Sequence, residues 1–197
     1  MWVSVIARVI GGRDEMIEVV LEGCAPHVVP LGKLAVGPCP KRDNVGADLS
    51  MFRQQGYDVV VSMLTADDKQ RLGLSEEERL CRAYGMEYLN LPVPDQSPPP
   101  ENESAVAFFK DLRDRYLRGQ YIYVHCMHGL GRAPSAVAGV LVLMGMDTEE
   151  AYRVVEQARG VIQVTPGQWE WVDDLRMCRD EKCDGCGRLY MDCDCYE

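Results

Sequence analysis

His125-Cys126-Met127-His128-Gly129-Leu130-Gly131-Arg132 decides how the rest of the chain is read. Five residues separate its cysteine from its arginine. An apolar, β-forming run at 121–124 leads in, and a helix-forming run at 133–144 leads out. Strand, tight loop and helix N-terminus together make an anion site, because unpaired backbone N–H groups and the positive end of the helix dipole converge there. Gly129 and Gly131 let the backbone curl, so that Met127, His128, Gly129, Leu130 and Gly131 offer their N–H groups as a concave nest. Arg132 adds a planar fork able to hold two oxygens of one anion. Such a field favours the thiolate of Cys126, so the same loop binds an oxyanion and activates a nucleophile. The plain alternative is an inert buried cysteine beside a surface arginine. Two glycines in register within a strand–loop–helix context speak against it.

The stretch resembles the signature of the cysteine-dependent protein tyrosine phosphatases, which is histidine-cysteine, five residues, then arginine. Here these are His125, Cys126 and Arg132. Sulfur-transfer domains of the rhodanese type are similar, with a loop usually one residue shorter. The resemblance implies Cys126 as nucleophile, Arg132 and the loop amides as phosphate cradle, and no cofactor for catalysis. It implies His125 as a buried, hydrogen-bonded support of the loop. It covers residues 30–178. The chain lacks the long insertions of the large classical members and is similar to the compact dual-specificity group. The kinase-associated type is nearest around 91–96 and 162–163, and 129–134 also resembles the phosphatases of regenerating liver.

A departing alkoxide or phenoxide needs a proton as the P–O bond breaks, and a carboxylic acid on a loop can supply it. Asp95 follows a strand, on a loop bounded by Pro92, Pro94 and the prolines at 98–100. The family places its general acid in such a loop upstream of the cysteine, whereas low-molecular-weight phosphatases have the reverse order. Asp67 and Asp68 are reserve candidates, read first as caps of the short helix beside them. For the water that must attack the phosphocysteine, the resemblance offers Gln168 in Val164-Thr165-Pro166-Gly167-Gln168, with Gln163 as the alternative.

One position departs from the family pattern. A serine or threonine commonly follows the signature arginine, where its hydroxyl can stabilise the departing sulfur; here the residue is Ala133, then Pro134. The expected consequence is slow hydrolysis of the intermediate, unless Ser135 or a water substitutes. This keeps a slow-turnover phosphoprotein-binding module as one alternative function. RNA 5′ ends are another, since Cys-x-His-Gly also occurs in RNA 5′-phosphatase relatives. A phosphorylated protein is the expected partner. The loop lacks the lysines often seen in phosphoinositide phosphatases.

The 197 residues carry 21 basic and 31 acidic side chains, a formal charge of −10, which disfavours non-specific binding to nucleic acid or to anionic membranes. No stretch approaches a membrane span. A free nucleophilic thiol and the absence of an export signal argue for a reducing, cytoplasmic setting despite nine cysteines. The sequence leaves the oligomeric state open.

Two β-rich runs, 2–10 and 16–21, read as an N-terminal hairpin. A short strand at 32–36 ends where Gly37-Pro38-Cys39-Pro40 breaks it. A helix over 48–55, a buried strand over 58–64, and a helix to 84 opened by a Ser75/Glu78 capping box follow. Then come a strand at 86–91, an amphipathic helix at 102–118, a helix from Asp147 to Arg159 and a last helix at 166–179. This alternation predicts an α/β fold with a mainly parallel central sheet flanked by helices. The division expected is a β extension at 1–30, a catalytic domain at 31–178 and a Cys-rich tail at 179–197. In the tail, Cys183, Cys186, Cys193 and Cys195 could hold a structural Zn²⁺, or form a reducible acidic tail. Cys24, Cys39 and Cys81 are read as packing residues.

Overall fold

The structure, a computed structural model, describes residues 4–10, 16–22 and 33–179. Six strands form one sheet in the order β1-β2-β3-β6-β4-β5. These are β1 (Ser4–Ile10), β2 (Met16–Glu22), β3 (Leu34–Pro38), β4 (Val59–Ser62), β5 (Glu87–Asn90) and β6 (Ile122–Cys126). β3, β6, β4 and β5 run parallel, while β1 and β2 pair antiparallel and join the sheet through β2 and β3. The fold class matches the sequence expectation, and the N-terminal hairpin is a continuation of the sheet.

Side-chain alternation explains why the parallel strands are apolar on both faces. Val36, Val59, Val61, Ile122 and Val124 pack on one side with α4 (Glu103–Leu117), α5 (Arg132–Leu143), α6 (Thr148–Arg159) and α7 (Pro166–Asp174). Ala35, Val60 and Tyr123 face the other side, with Leu49 and Phe52 of α1 (Val45–Gln54) and Cys81 of α3 (Glu77–Ala83). α2 (Ala66–Leu72) follows β4. β6 is central, with β3 and β4 on its two sides. The carboxyl ends of all four parallel strands therefore open on one edge, where such sheets place their sites. Cys39, Met63, the proline loop and Cys126 all leave from that edge.

Several local expectations are corrected. Ser75 and Glu78 form no capping box: α3 starts at Glu77 behind Glu76, with no side-chain cap bond. The buried Leu74 accepts from Glu77 N–H at 3.1 Å, which closes a turn through Ser75 and delays the helix. The boxes that do form are Thr65/Asp68 on α2 and Thr165/Gln168 on α7. Gly37 and Pro38 do not break β3; they pair with His125 and Cys126. α1 begins at Val45, because Asp48 accepts from Lys41 N–H at 2.7 Å and seats the preceding turn. β4 covers only 59–62, and the last helix becomes a 3-10 turn (Leu175–Cys178) after Asp174. The tail cysteines 183, 186, 193 and 195, and Cys24, lie outside the described residues. Among the described residues, no group of three His, Cys, Asp or Glu could hold a metal ion. None of the described helices is long and apolar enough to cross a membrane.

Candidate active site

Every carbonyl from His125 to Gly131 has a partner, and all but that of Cys126 are held from outside the stretch. His125 O accepts from Met63 N–H at 2.9 Å and Leu130 O from Gln163 N–H at 2.6 Å. Cys126 O lies 3.4 Å from His125 Nδ1. Met127 O accepts from the N–H and the thiol of Cys39, at 3.3 and 3.5 Å. His128 O and Gly129 O are held by Arg159 Nη2 and Nε at 3.1 and 3.2 Å. Gly131 O accepts from Ser135 N–H at 2.9 Å and Ser135 Oγ at 3.0 Å. A peptide whose carbonyl is drawn outward turns its N–H inward. The nest read from the sequence is thus built by its surroundings, and the glycines permit it. Gly129 sits at φ 67°, and a Cβ there would lie 2.4 Å from the Gly37 carbonyl carbon. The loop rests directly on the backbone of β3, so only glycine fits at this point.

Cys126 is buried at the floor of a cleft of about 210 Å³. Asp95, Gln96, Gln163 and Gln168 line it above Met127, His128, Leu130, Gly131 and Arg132. Arg132 is buried and anchored along one side: Nη1 donates to Asp68 Oδ2 at 2.8 Å and to Val93 O at 2.9 Å. Its Nε and Nη2 have no hydrogen-bond partner among the described residues, although Asp95 Oδ1 lies at ion-pair distance, 3.2 Å, from Nη2. That Nε/Nη2 edge is the fork a tetrahedral oxyanion would use.

Asp68 is the anchor. Burial opposes its charge, but hydrogen bonds from Arg132 and Arg71 outweigh that and hold its carboxyl below the ordinary carboxylate range. Arg71 reaches Oδ1 at 2.8 Å. Beneath the loop, His125 and Glu77 are both fully buried, with Nε2 2.9 Å from Oε1. The approach is close but poorly directed for a hydrogen bond. Tyr88 OH donates to the other Glu77 oxygen at 3.3 Å. Burial, with the neighbouring Glu77 and Cys126, pushes the Cys39 thiol up to about 11, so it remains a donor to Met127 O. Ser135 Oγ bonds Gly131 O and receives Tyr152 OH at 3.2 Å, so its hydroxyl is committed to the helix and its neighbours.

The structure thus brings Cys126, Arg132, Asp95, Gln163 and Gln168 to one cleft and puts His125 beneath it. Sequence reading missed Glu77 and Arg159, and it gave Asp68 as a cap or a reserve acid, not as the anchor of Arg132. The Thr65-x-x-Asp68 spacing is the local signal of the cap that forms. Nothing local signals a partner 64 positions away on Arg132.

The family model for a phosphatase of the dual-specificity and protein tyrosine type (DSP-PTPase) found in polymorphic toxin systems matches residues 38–146, more than half of the chain. The chain belongs to this DSP-PTPase family. It is 31% identical over 104 residues to mouse protein tyrosine phosphatase type IVA 2, covering 47% of this chain and 62% of that relative. The human type IVA 3 protein is 28% identical over a similar stretch, with 60% of it covered. The chain therefore spans somewhat under two thirds of the length of these relatives. In solved structures the fold is shared with kinase-associated phosphatase at TM-score 0.63 and 19% identity, covering 74% of this chain and 85% of that one. It is also shared with PTPMT1 in complex with PI(5)P, at TM-score 0.60 and 21% identity, covering 73% and 90%.

Proposed function

We infer that the chain hydrolyses phosphate monoesters on proteins, phosphotyrosine first and phosphoserine or phosphothreonine after it, through a phosphocysteine intermediate. The observation that carries this is the outward-held loop: inward amides and a free guanidinium edge converge above one buried thiol. The Cys126 thiolate attacks phosphorus, a P–S bond forms, and the P–O bond to the leaving group breaks. Asp95 gives its proton to the departing oxygen. An incoming phosphate takes the Nε/Nη2 edge of Arg132, which frees Asp95 from its contact with Nη2 to face the ester oxygen. Water then attacks the phosphocysteine, Asp95 takes back a proton, and inorganic phosphate leaves with the thiolate restored. Gln163 and Gln168 border the path of that water. Met127, His128 and Leu130 shape the entrance.

A lipid substrate is the second reading, favoured by the likeness to PTPMT1, which was solved with PI(5)P. Against it, Arg132 and His128 are the only basic side chains lining the cleft among the described residues. A polyphosphorylated headgroup would want more positive charge. Turnover of phosphotyrosine and phosphothreonine peptides, PI(5)P and 5′-triphosphate RNA should be measured side by side, with Cys126→Ser as blank. The peptides should be turned over fastest. Faster turnover of the lipid or the RNA overturns the protein-substrate reading.

A further inference from the structure

We propose that the capping box at the start of α7 is a catch that holds the acid loop over the nucleophile, which makes Thr165 and Gln168 positioning residues for Asp95. The inference rests on Asp95 being the acid. Gln96, directly after it, has φ 60° and is the only non-glycine residue at positive φ among the described residues. A long side chain is disfavoured in that region and persists only where its surroundings hold it.

The holders are two side chains. Thr165 Oγ1 donates to Gln96 O at 3.2 Å, and Gln168 Nε2 donates to Ser97 O at 3.0 Å. They grip successive carbonyls on the downstream side of Asp95. Ser97 N–H closes the turn on Pro94 O at 3.1 Å. Pro98 lies against Gly167, where a Cβ would stand 3.7 Å from its ring. The grip and the helix start are one unit. Thr165 Oγ1 accepts from Gln168 N–H at 3.3 Å while it donates to Gln96, and Gln168 Oε1 accepts from Thr165 N–H at 3.1 Å. Once the box forms, the Thr165 hydroxyl hydrogen and the Gln168 amide hydrogens are left pointing at the loop. Gln168 is only 1% exposed, and both ends of its amide are in use. Its family-suggested task of orienting water therefore comes after a structural one. On the far side of the turn, Asp95 leans on Arg132.

The test is a leaving-group series of aryl phosphates on the full chain, with Asp95→Asn, Thr165→Val, Thr165→Ser, Gln168→Ala and the double variant Asp95→Asn/Thr165→Val. Loss of the acid should cost about 10²–10⁴-fold on poor leaving groups and little on activated ones. Thr165→Val and Gln168→Ala should each cost roughly tenfold, with the same dependence on leaving group. Thr165→Ser keeps the hydroxyl and should restore the rate. The double variant should be no slower than Asp95→Asn alone. A Thr165→Val loss that is equal across the series, or that adds in full to Asp95→Asn, overturns the catch. A Gln168→Ala variant that only prolongs the phosphocysteine overturns its share of the proposal. A flat profile for Asp95→Asn itself overturns the acid assignment, and the catch with it. A steep profile there beside a flat one for Thr165→Val overturns the catch alone.

Discussion

The signature loop and the acid loop leave parallel strands at the same edge of the sheet, yet they are held in different ways. Around Cys126 the peptide carbonyls are bound by partners drawn from the segments after β3 and β4, from α5 and α6, and from the segment before α7. Around Asp95 the grip comes from two side chains of one helix start and a contact with Arg132. Cys126 is 3% exposed, while the Asp95 side chain is 57% exposed. Cys126, the proposed nucleophile, sits in a cradle that cannot relax without disturbing its neighbours. Asp95, the proposed acid, sits on a segment whose ties can be exchanged one at a time. Phosphate recognition should therefore be a property of the whole fold, and proton delivery a property of a few contacts.

The sharpest way to break this contrast is Cys126→Ser. It should abolish turnover, by on the order of 10⁴-fold or more, and still bind inorganic phosphate or vanadate, because the nest and Arg132 remain. Isothermal titration together with a steady-state assay would show it; loss of oxyanion binding would mean the thiol itself shapes the cradle. Next in size is Arg159→Met, which releases the His128 and Gly129 carbonyls. Hydrogen bonds from charged donors are worth roughly 1.5–3 kcal/mol each, less where partly exposed, so oxyanion affinity should fall about ten- to a hundredfold. Arg159→Lys should recover only part of this, since an ammonium cannot span both oxygens. Unchanged affinity in Arg159→Met would show that the loop keeps its shape unaided.

Asp68→Asn should act through Arg132 and reduce kcat/KM by roughly tenfold, with a loss of stability of about 1–3 kcal/mol. The pH dependence is set by the lowered carboxyl of Asp68. Its stabilising contribution is complete above the ordinary carboxylate range and is lost as pH falls through the lowered value. In acid titrations followed by circular dichroism, the variant should lack that part of the transition, and an identical profile would remove Asp68 from the account. The smallest effect is expected at Ala133→Ser. Ser135 has its hydroxyl on Gly131 and cannot stabilise the departing sulfur. The unmodified chain should show a burst of product and then slow phosphate release. The added hydroxyl should speed that second phase several-fold. Rapid-mixing traces without a burst would show that some other group already does this.

The parts that were legible in the sequence share a property: their meaning is local. The β-branched run of β4, the amphipathic pattern of α4 and the glycines flanking Leu130 each carry their reason within a few residues. The place of Asp95 at the cleft was legible because a strand, prolines and an acid sit together. What escaped is contact across the chain. Glu77 stands in a run of acidic residues that reads as a solvated helix start, yet it alone turns inward to His125 and Tyr88. Arg159 was read only as the end of a helix; its guanidinium reaches the signature loop, 30 positions upstream. Gly37-Pro38 read as a strand breaker because its task, leaving room for Gly129, belongs to a different segment.

That close approach of Gly129 to Gly37 bears on how such a chain could change its taste in substrates. With the loop pressed against β3, and a Cβ on Gly131 bound to collide with Gln163 O at 2.9 Å, neither glycine position can carry a side chain. In the proposed reaction, Cys126 and Arg132 are committed to the chemistry. What remains free to vary is the set of side chains at Met127, His128 and Leu130, three letters in an otherwise closed word. New selectivity can be written there, or on the Gln96 and Gln163 rims, without redrawing the sheet beneath.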